Sequence, residues 1–208
     1  MEKGLLFLQR VALSFSGGKD SCFALYYLLK EGLEVVSLFT TVWKEKKETV
    51  AHGERLIRIE KQAKQLSIPV TFIETDFDSY QEDFIKKLKE LKKNKKIDTV
   101  AFGDIYIEGH RKWGEGVAEE AELAAYYPLW IKQENIVDML RDFVHTGFKA
   151  EVIRVDTEKL PTSWIGRMLG ESFIEDILQY EDVCPMGESG EYHTFVYDGP
   201  IFNKPIRH

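Results

Sequence analysis

Apolar and polar positions along this chain repeat with two different periods. Short β-branched and aromatic runs at Val11 to Ser14, Val35 to Thr41, Val70 to Thr75 and Thr99 to Gly103 read as strands. Between them, Leu25, Leu28 and Leu29 recur at helical spacing, as do Leu56, Ile59, Ala63 and Leu66, and then Ile85, Leu88 and Leu91. Strand and helix alternating in this way predict βαβ units with right-handed crossovers, hence an α/β protein built on a parallel sheet flanked by helices. The stretch from Lys86 to Lys96 is lysine-rich, but its apolar residues fall every three positions, so the lysines form the solvated face of an amphipathic helix.

The pattern changes at Tyr126 to Trp130, where Tyr-Tyr-Pro-Leu-Trp interrupts the helical repeat. Beyond it, Glu134 to His145 reads as a helix closed by Gly147 in the left-handed cap position, and Ala150 to Val155 reads as a strand. Cys184 to Tyr192 is rich in glycine and glutamate and leads into a strand at Thr194 to Tyr197. The expected division is residues 1–128 and a smaller α+β part, 129–208, with no internal repeat and no low-complexity linker.

Composition narrows the partners. A chain of 208 residues with 44% hydrophobic and 12% aromatic content can bury a full core. A net charge of −7 and a pI near 5.4 give no general attraction to a polyanion, so free nucleic acid is not an expected partner. Cys22 and Cys184 are far apart and form no CxxC, which fits a reducing compartment. The apolar Gly-Leu-Leu-Phe-Leu run near the start is too short for a secretory signal, and no stretch approaches the roughly 20 apolar residues of a membrane span. The expectation is a soluble, cytoplasmic protein.

The strongest chemical signal is Ser16-Gly17-Gly18-Lys19-Asp20-Ser21, set between the first strand, which ends at Ser14, and the first helix. A strand feeding a glycine-rich turn into a helix N-terminus aims backbone N–H groups and the positive helix end at one point, which suits a phosphate. Gly17 and Gly18 permit positive φ and close ligand approach, Ser16 and Ser21 add hydroxyls, and Lys19 adds charge. A plain turn with a serine cap is the bland alternative. The run is not a Walker A loop, since GxxxxGK[ST] would need glycine at Leu13 and Ser or Thr at Asp20.

Two further clusters carry candidate chemistry. Gly103 and Asp104 stand at the carboxyl end of a predicted strand, where open α/β sheets place ligands, with His110, Arg111 and Glu115 following. Asp104 could hold magnesium and Arg111 could grip a phosphate or carboxylate. Gly187 to Thr194 places Glu188, Glu191 and His193 between glycines, and closes at Asp198-Gly199-Pro200. A capping aspartate and an exposed hairpin are the corresponding structural alternatives.

SGGKDS is similar to the pyrophosphate loop of the PP-loop ATP pyrophosphatases. Together with His52-Gly53, the Gln62-Ala63 to Ile68-Pro69 segment, Gly-Asp-Ile with Arg111, Pro128-Leu129-Trp130 and GESGEYHTFVYDGPIF, the chain resembles the diphthine–ammonia ligase family along almost its whole length. The resemblance implies a sheet of the HUP, or adenine nucleotide alpha hydrolase-like, type with ATP bound by the first part and the acceptor by the second. It implies adenylation of a diphthine carboxylate on elongation factor 2, with ATP and magnesium, followed by attack of ammonium to release AMP. Carried over by position, Ser14 and Ser16 to Ser21 would hold the nucleotide phosphates, with Gly103 beside them. Phe39, Thr40, Thr41, His52 and Gly53 would lie near the adenosine. Lys19, Asp104, Arg111, Glu188, Glu191 and His193 would line the reacting side, with Glu188 or Glu191 taking a proton from ammonium.

Ending at His208, the chain lacks the extra C-terminal domains of eukaryotic members and looks like the short archaeal or bacterial form; a homodimer is allowed, though no residue demands one. A bacterial paralogue amidating another carboxylate, in cobamide metabolism for example, is one alternative. A tRNA-modifying PP-loop enzyme is disfavoured by the cysteine spacing and the acidic charge. A glutamine-dependent amidotransferase is disfavoured because the chain has no room for a glutaminase domain. A non-catalytic ATP sensor would bind ATP without releasing AMP.

Overall fold

A computed structural model of the protein describes residues 9–206. The apolar run before Gln9 lies outside the described residues. Five parallel strands, β1 (Arg10–Ser14), β2 (Glu34–Trp43), β3 (Val70–Thr75), β4 (Thr99–Ala101) and β5 (Ala124–Tyr126), form a sheet in the order β3-β2-β1-β4-β5. The strand at the centre of that order is β1, and Val11, Ala12 and Leu13 are completely buried, as an unbroken apolar run flanked on both faces must be.

Helices α1 (Lys19–Lys30) and α2 (Leu56–Leu66) pack into one core; α3 (Tyr80–Lys95) and α4 (Glu108–Glu120) pack into a second core. In α3 the buried stripe is Phe84, Ile85, Leu88 and Leu91, so most of its lysines face outward, as the three-residue spacing requires. In α1 the stripe is Cys22, Leu25 and Leu28, and Leu29 points outward at 42% exposure rather than joining it. The fourth strand is shorter than its apolar run: Phe102 still bonds to the Tyr126 carbonyl at 3.0 Å, but Gly103 has left the ladder. Neither β5 nor α4 was signalled by period, since one is three residues long and the other buries only Gly114, Val117 and Ala118.

The remainder comprises α5 (Ile136–His145), β6 (Lys149–Val155), α6 (Glu171–Ile177) and β7 (Tyr192–Asp198), with β6 and β7 antiparallel. It shares the core of α1 and α2. Phe23 of α1 meets the edge of Phe143 at 5.6 Å and of Phe148 at 6.1 Å, so the two parts bury a common apolar layer. Among the described residues no helix is long and apolar enough to cross a membrane.

Candidate active site

The site begins where β1 meets α1. Gly17 has φ of 80°, a left-handed conformation that disfavours any side chain, and a Cβ there would also lie 2.7 Å from Ile59 Cδ1. Gly18 is extended, with φ of −82°, so its glycine answers to space instead: a Cβ would sit 2.6 Å from His52 Cε1. The loop is braced by Gln62, fully buried, whose Nε2 donates to the Gly17 carbonyl at 2.8 Å and to the Val196 carbonyl at 2.7 Å.

The first amides of the loop are not free. Gly17 N donates to Ser21 Oγ at 3.1 Å, Gly18 N more weakly to Ser16 Oγ at 3.4 Å, and Lys19 N to Thr194 Oγ1 at 2.9 Å. The sequence pattern aims these N–H groups directly at a phosphate; here hydroxyl oxygens satisfy them. Ser21 Oγ in turn donates to the Gly18 carbonyl at 3.1 Å and Ser16 Oγ to Ser21 Oγ at 3.3 Å, so these two hydroxyls must leave those acceptors to donate to an anion. Thr194 belongs to β7, so the cap of α1 comes from a strand 175 residues away.

Beside the loop lies a cavity of about 620 Å³, within the range of small-ligand sites. Ser14, Ser16, Lys19, Asp20, Ser21, His52, Gly103, Asp104, Glu188 and His193, all singled out from sequence, line it. A Cβ at Gly103 would come 3.2 Å from the Ser21 amide, so glycine there keeps the start of α1 open. Lys19 is 2% exposed, pairs with Asp20 Oδ2 at 2.9 Å and lies 4.9 Å from the centre of the Tyr192 ring. Burial raises the Asp20 carboxyl, and Lys19 opposes that rise.

Three carboxylates face this one lysine. Asp104 Oδ1 meets His110 Nδ1 at 3.1 Å, which raises the imidazole pKa, and Glu188 Oε1 accepts from the Ile105 amide at 2.9 Å. Burial, reinforced by the charge of Asp20, pushes Glu188 up to about 7 despite that hydrogen bond. Ligand atoms of Asp104, His110 and Glu188 lie within 4.8 Å of one another. His110 was named in sequence only as a neighbour of Asp104; the loop from Asp104 to Ile107 and the start of α4 bring it round.

The histidines behave differently. The rings of His52 and His193 are 4.6 Å apart, and burial is the main force lowering both, His193 to about 4. Both are therefore neutral imidazoles at neutral pH. His52 Nδ1 is enclosed and has no hydrogen-bond partner among the described residues.

Eight sequence candidates lie outside the cavity lining, two of them Gly17 and Gly18 of the turn itself. Phe39 is fully buried and packs edge-on against Phe84 at 5.4 Å, and Thr40 and Thr41 are buried within β2. Gly53 occupies the neighbouring turn with φ of 61°. Arg111 points to solvent along α4, paired with Glu115 at 2.8 Å and lying 4.9 Å from the Trp130 ring centre. Glu191, 5% exposed, accepts from the amides of Cys184 at 2.9 Å and Ser189 at 3.0 Å. It therefore folds the Gly187–Gly190 turn, whereas Glu188 faces the cavity. Thr194 and Gln62, which fix the loop, had no role assigned from sequence; their signal lay only in the shared segments.

Fold and site together define an α/β protein with a strand–loop–helix phosphate turn opening into an acidic, lysine-bearing cavity. Residues 9–125 match the Diphthamide synthase N-terminal domain and residues 135–207 the Diphthamide synthase C-terminal domain, so the chain belongs to the diphthamide synthase family. It is 28% identical over 220 residues to the diphthine–ammonia ligase of Rattus norvegicus, covering 95% of this chain and 82% of that one. The Homo sapiens enzyme gives 28% over 224 residues with the same coverage, and that of Schizosaccharomyces pombe 29% over 216 residues, 92% of this chain but 34% of its own. Substantial extra length is thus a feature of the yeast relative and not of every eukaryotic one. A U34-tRNA thiolase, NcsA, from Methanococcus maripaludis superposes with a TM-score of 0.40 at 15% identity over 64% of this chain and 55% of that one.

Proposed function

We propose that this protein is an ATP-dependent ligase that forms a carbon–nitrogen bond: it adenylates the carboxylate of diphthine on elongation factor 2 and amidates it with ammonia, releasing AMP and pyrophosphate. The observation that carries the reading is that Lys19 of the phosphate turn and Glu188 of the Gly-Glu-Ser-Gly-Glu segment line one cavity in a diphthamide synthase family chain. The division near residue 128 then separates nucleotide and acceptor parts in sequence only, because Glu188, His193 and Thr194 return to the loop.

In the first step an acceptor carboxylate oxygen attacks the α-phosphorus and the bond to pyrophosphate breaks. Lys19 and the loop hydroxyls stabilise the charge that gathers on the departing pyrophosphate. In the second step ammonia attacks the acyl carbon and AMP leaves. Ammonium must first lose a proton, and Glu188, with a pKa near neutrality, is the carboxylate placed to take it. Glu191 is committed to two backbone amides, which leaves Glu188 as that base, and Arg111, paired with Glu115, lies outside the cavity lining.

The residues fit magnesium. Asp20 Oδ1 is enclosed without a partner among the described residues, and three carboxylates share the cavity with one lysine. Asp104 and Asp20 would hold the ion, which would neutralise the ATP phosphates. The acyl-adenylate must be kept from water, and the Gly187–His193 turn over the loop is suited to that exclusion.

The test is mass spectrometry of AMP, pyrophosphate and amide formed from ATP and ammonium, with and without diphthine-bearing elongation factor 2. AMP and amide in equal amounts are expected. ATP binding without AMP release would sink the ligase reading and favour a sensor.

A further inference from the structure

A second concavity of about 400 Å³ adjoins the cavity and shares Gly190 and His193 with it. Its other walls are Arg154, Asp156 and Thr157, with Val155 between them. Arg154 pairs with His193 across the β6–β7 ladder, so the two side chains emerge on the same face. Its guanidinium makes no hydrogen bond or ion pair among the described residues, although Asp156 lies in the same pocket. One Asp156 oxygen caps the Glu158 amide at 3.0 Å.

We propose that Arg154, Asp156 and Thr157 form the acceptor subsite, taking a group that carries a carboxylate beside a fixed positive charge. The inference rests on the ligase reading above and deepens it. Arg154, Asp156 and Thr157 are themselves exposed; what sets this arginine apart is that the concavity it lines shares Gly190 and His193 with the phosphate cavity. A planar guanidinium binds a carboxylate through two parallel hydrogen bonds. A polyphosphate is the other ligand an arginine here could attract, but Asp156 in the same pocket repels it. The same aspartate attracts a cationic centre, so the charge pattern is complementary to a zwitterion and not to a simple anion. Arg154 thereby positions the carboxylate beside His193, at the boundary with the cavity where the α-phosphate would lie. It is a positioning and specificity residue; the reacting atoms remain with the loop and Glu188.

The decisive experiment is initial-rate kinetics of Arg154→Ala, Arg154→Lys and Asp156→Asn in the full chain. Substrates are ATP, ammonium and diphthine-bearing elongation factor 2. Arg154→Ala is expected to raise the acceptor KM by about tenfold or more, the loss of one charged pair, with the ATP KM within about twofold of wild type. Lysine should restore part of the loss, and Asp156→Asn should raise the acceptor KM as well. An unchanged acceptor KM in Arg154→Ala, with wild-type amide formation intact, overturns the subsite and leaves the ligase reading standing. A second measurement is independent of turnover: NMR titration with glycine betaine, a carboxylate beside a quaternary ammonium, should shift the Arg154 Nε–Hε resonance. No shift overturns the subsite even if amide forms, and a shift without amide formation would fault the ligase reading alone.

Discussion

The Thr194 hydroxyl accepts a hydrogen bond from the Lys19 backbone amide at 2.9 Å, tying the last strand to the first residue of the first helix. Gly18 supplies no side-chain cap to that helix, so Thr194 performs a capping function from a distance. Thr194→Val would leave the amide unsatisfied in a buried setting. A stability loss of about 1–2 kcal/mol is expected in denaturant unfolding, together with weaker ATP binding. Thr194→Ser should keep both, and wild-type stability in the valine variant would refute the capping role.

Lys19 is buried with Asp20 as its partner, and it is the cation nearest the turn. Lys19→Ala should reduce AMP formation by at least about a hundredfold, the scale of losing one charge-stabilising group. Asp104→Ala should do the same. Wild-type AMP release from either purified variant counts against the proposed chemistry.

Glu188 has a pKa raised to about 7, so its basic form is populated only near and above neutrality. Amide formation should rise with pH through about 7 and then level off, and Glu188→Gln should remove that rising limb. The sign for stability is opposite. The folded state holds the Glu188 proton more tightly than the unfolded chain, so its contribution is full below the ordinary value of 4.5 and disappears as pH climbs through about 7. Urea unfolding of wild type and Glu188→Gln across this window should differ in slope accordingly; identical slopes would contradict the burial of this carboxyl.

Glu191 and Arg111 separate architecture from chemistry. Replacing Glu191 with Gln leaves one oxygen for two amides and turns an NH₂ toward the other, so a loss of about 1–3 kcal/mol in unfolding free energy is expected. Arg111→Ala breaks a solvent-exposed pair with Glu115 and should leave AMP formation within about twofold of wild type. A large drop in its kcat would return Arg111 to the reacting side.

Local signals in the chain account for much of this molecule. The apolar runs of β1, β2 and β3 and the six-residue turn are contiguous, so the strand–loop–helix unit could be read directly. Edge strand β5, with only Ala-Ala-Tyr, and the seven-residue α6 carry too few periodic positions to stand out. The two glutamates of Gly-Glu-Ser-Gly-Glu are equivalent as sequence, and only their partners, Ile105 for Glu188 and Cys184 with Ser189 for Glu191, distinguish them. Phe39 was carried to the nucleotide by its position in the family resemblance, yet its side chain alternates into the core against Phe84. Arg154 lies inside a strand whose pattern spoke only of structure, and its interest arises from what β7 brings alongside.

The clasp between β7 and the loop also orders events during synthesis. A ribosome emits the glycine turn about 175 residues before the threonine that caps it, so the emerging N-terminal half travels with an unfinished nucleotide pocket. Completion of the turn therefore waits for the last strand, which arrives with Glu188 and His193, the other late-made residues of the same cavity.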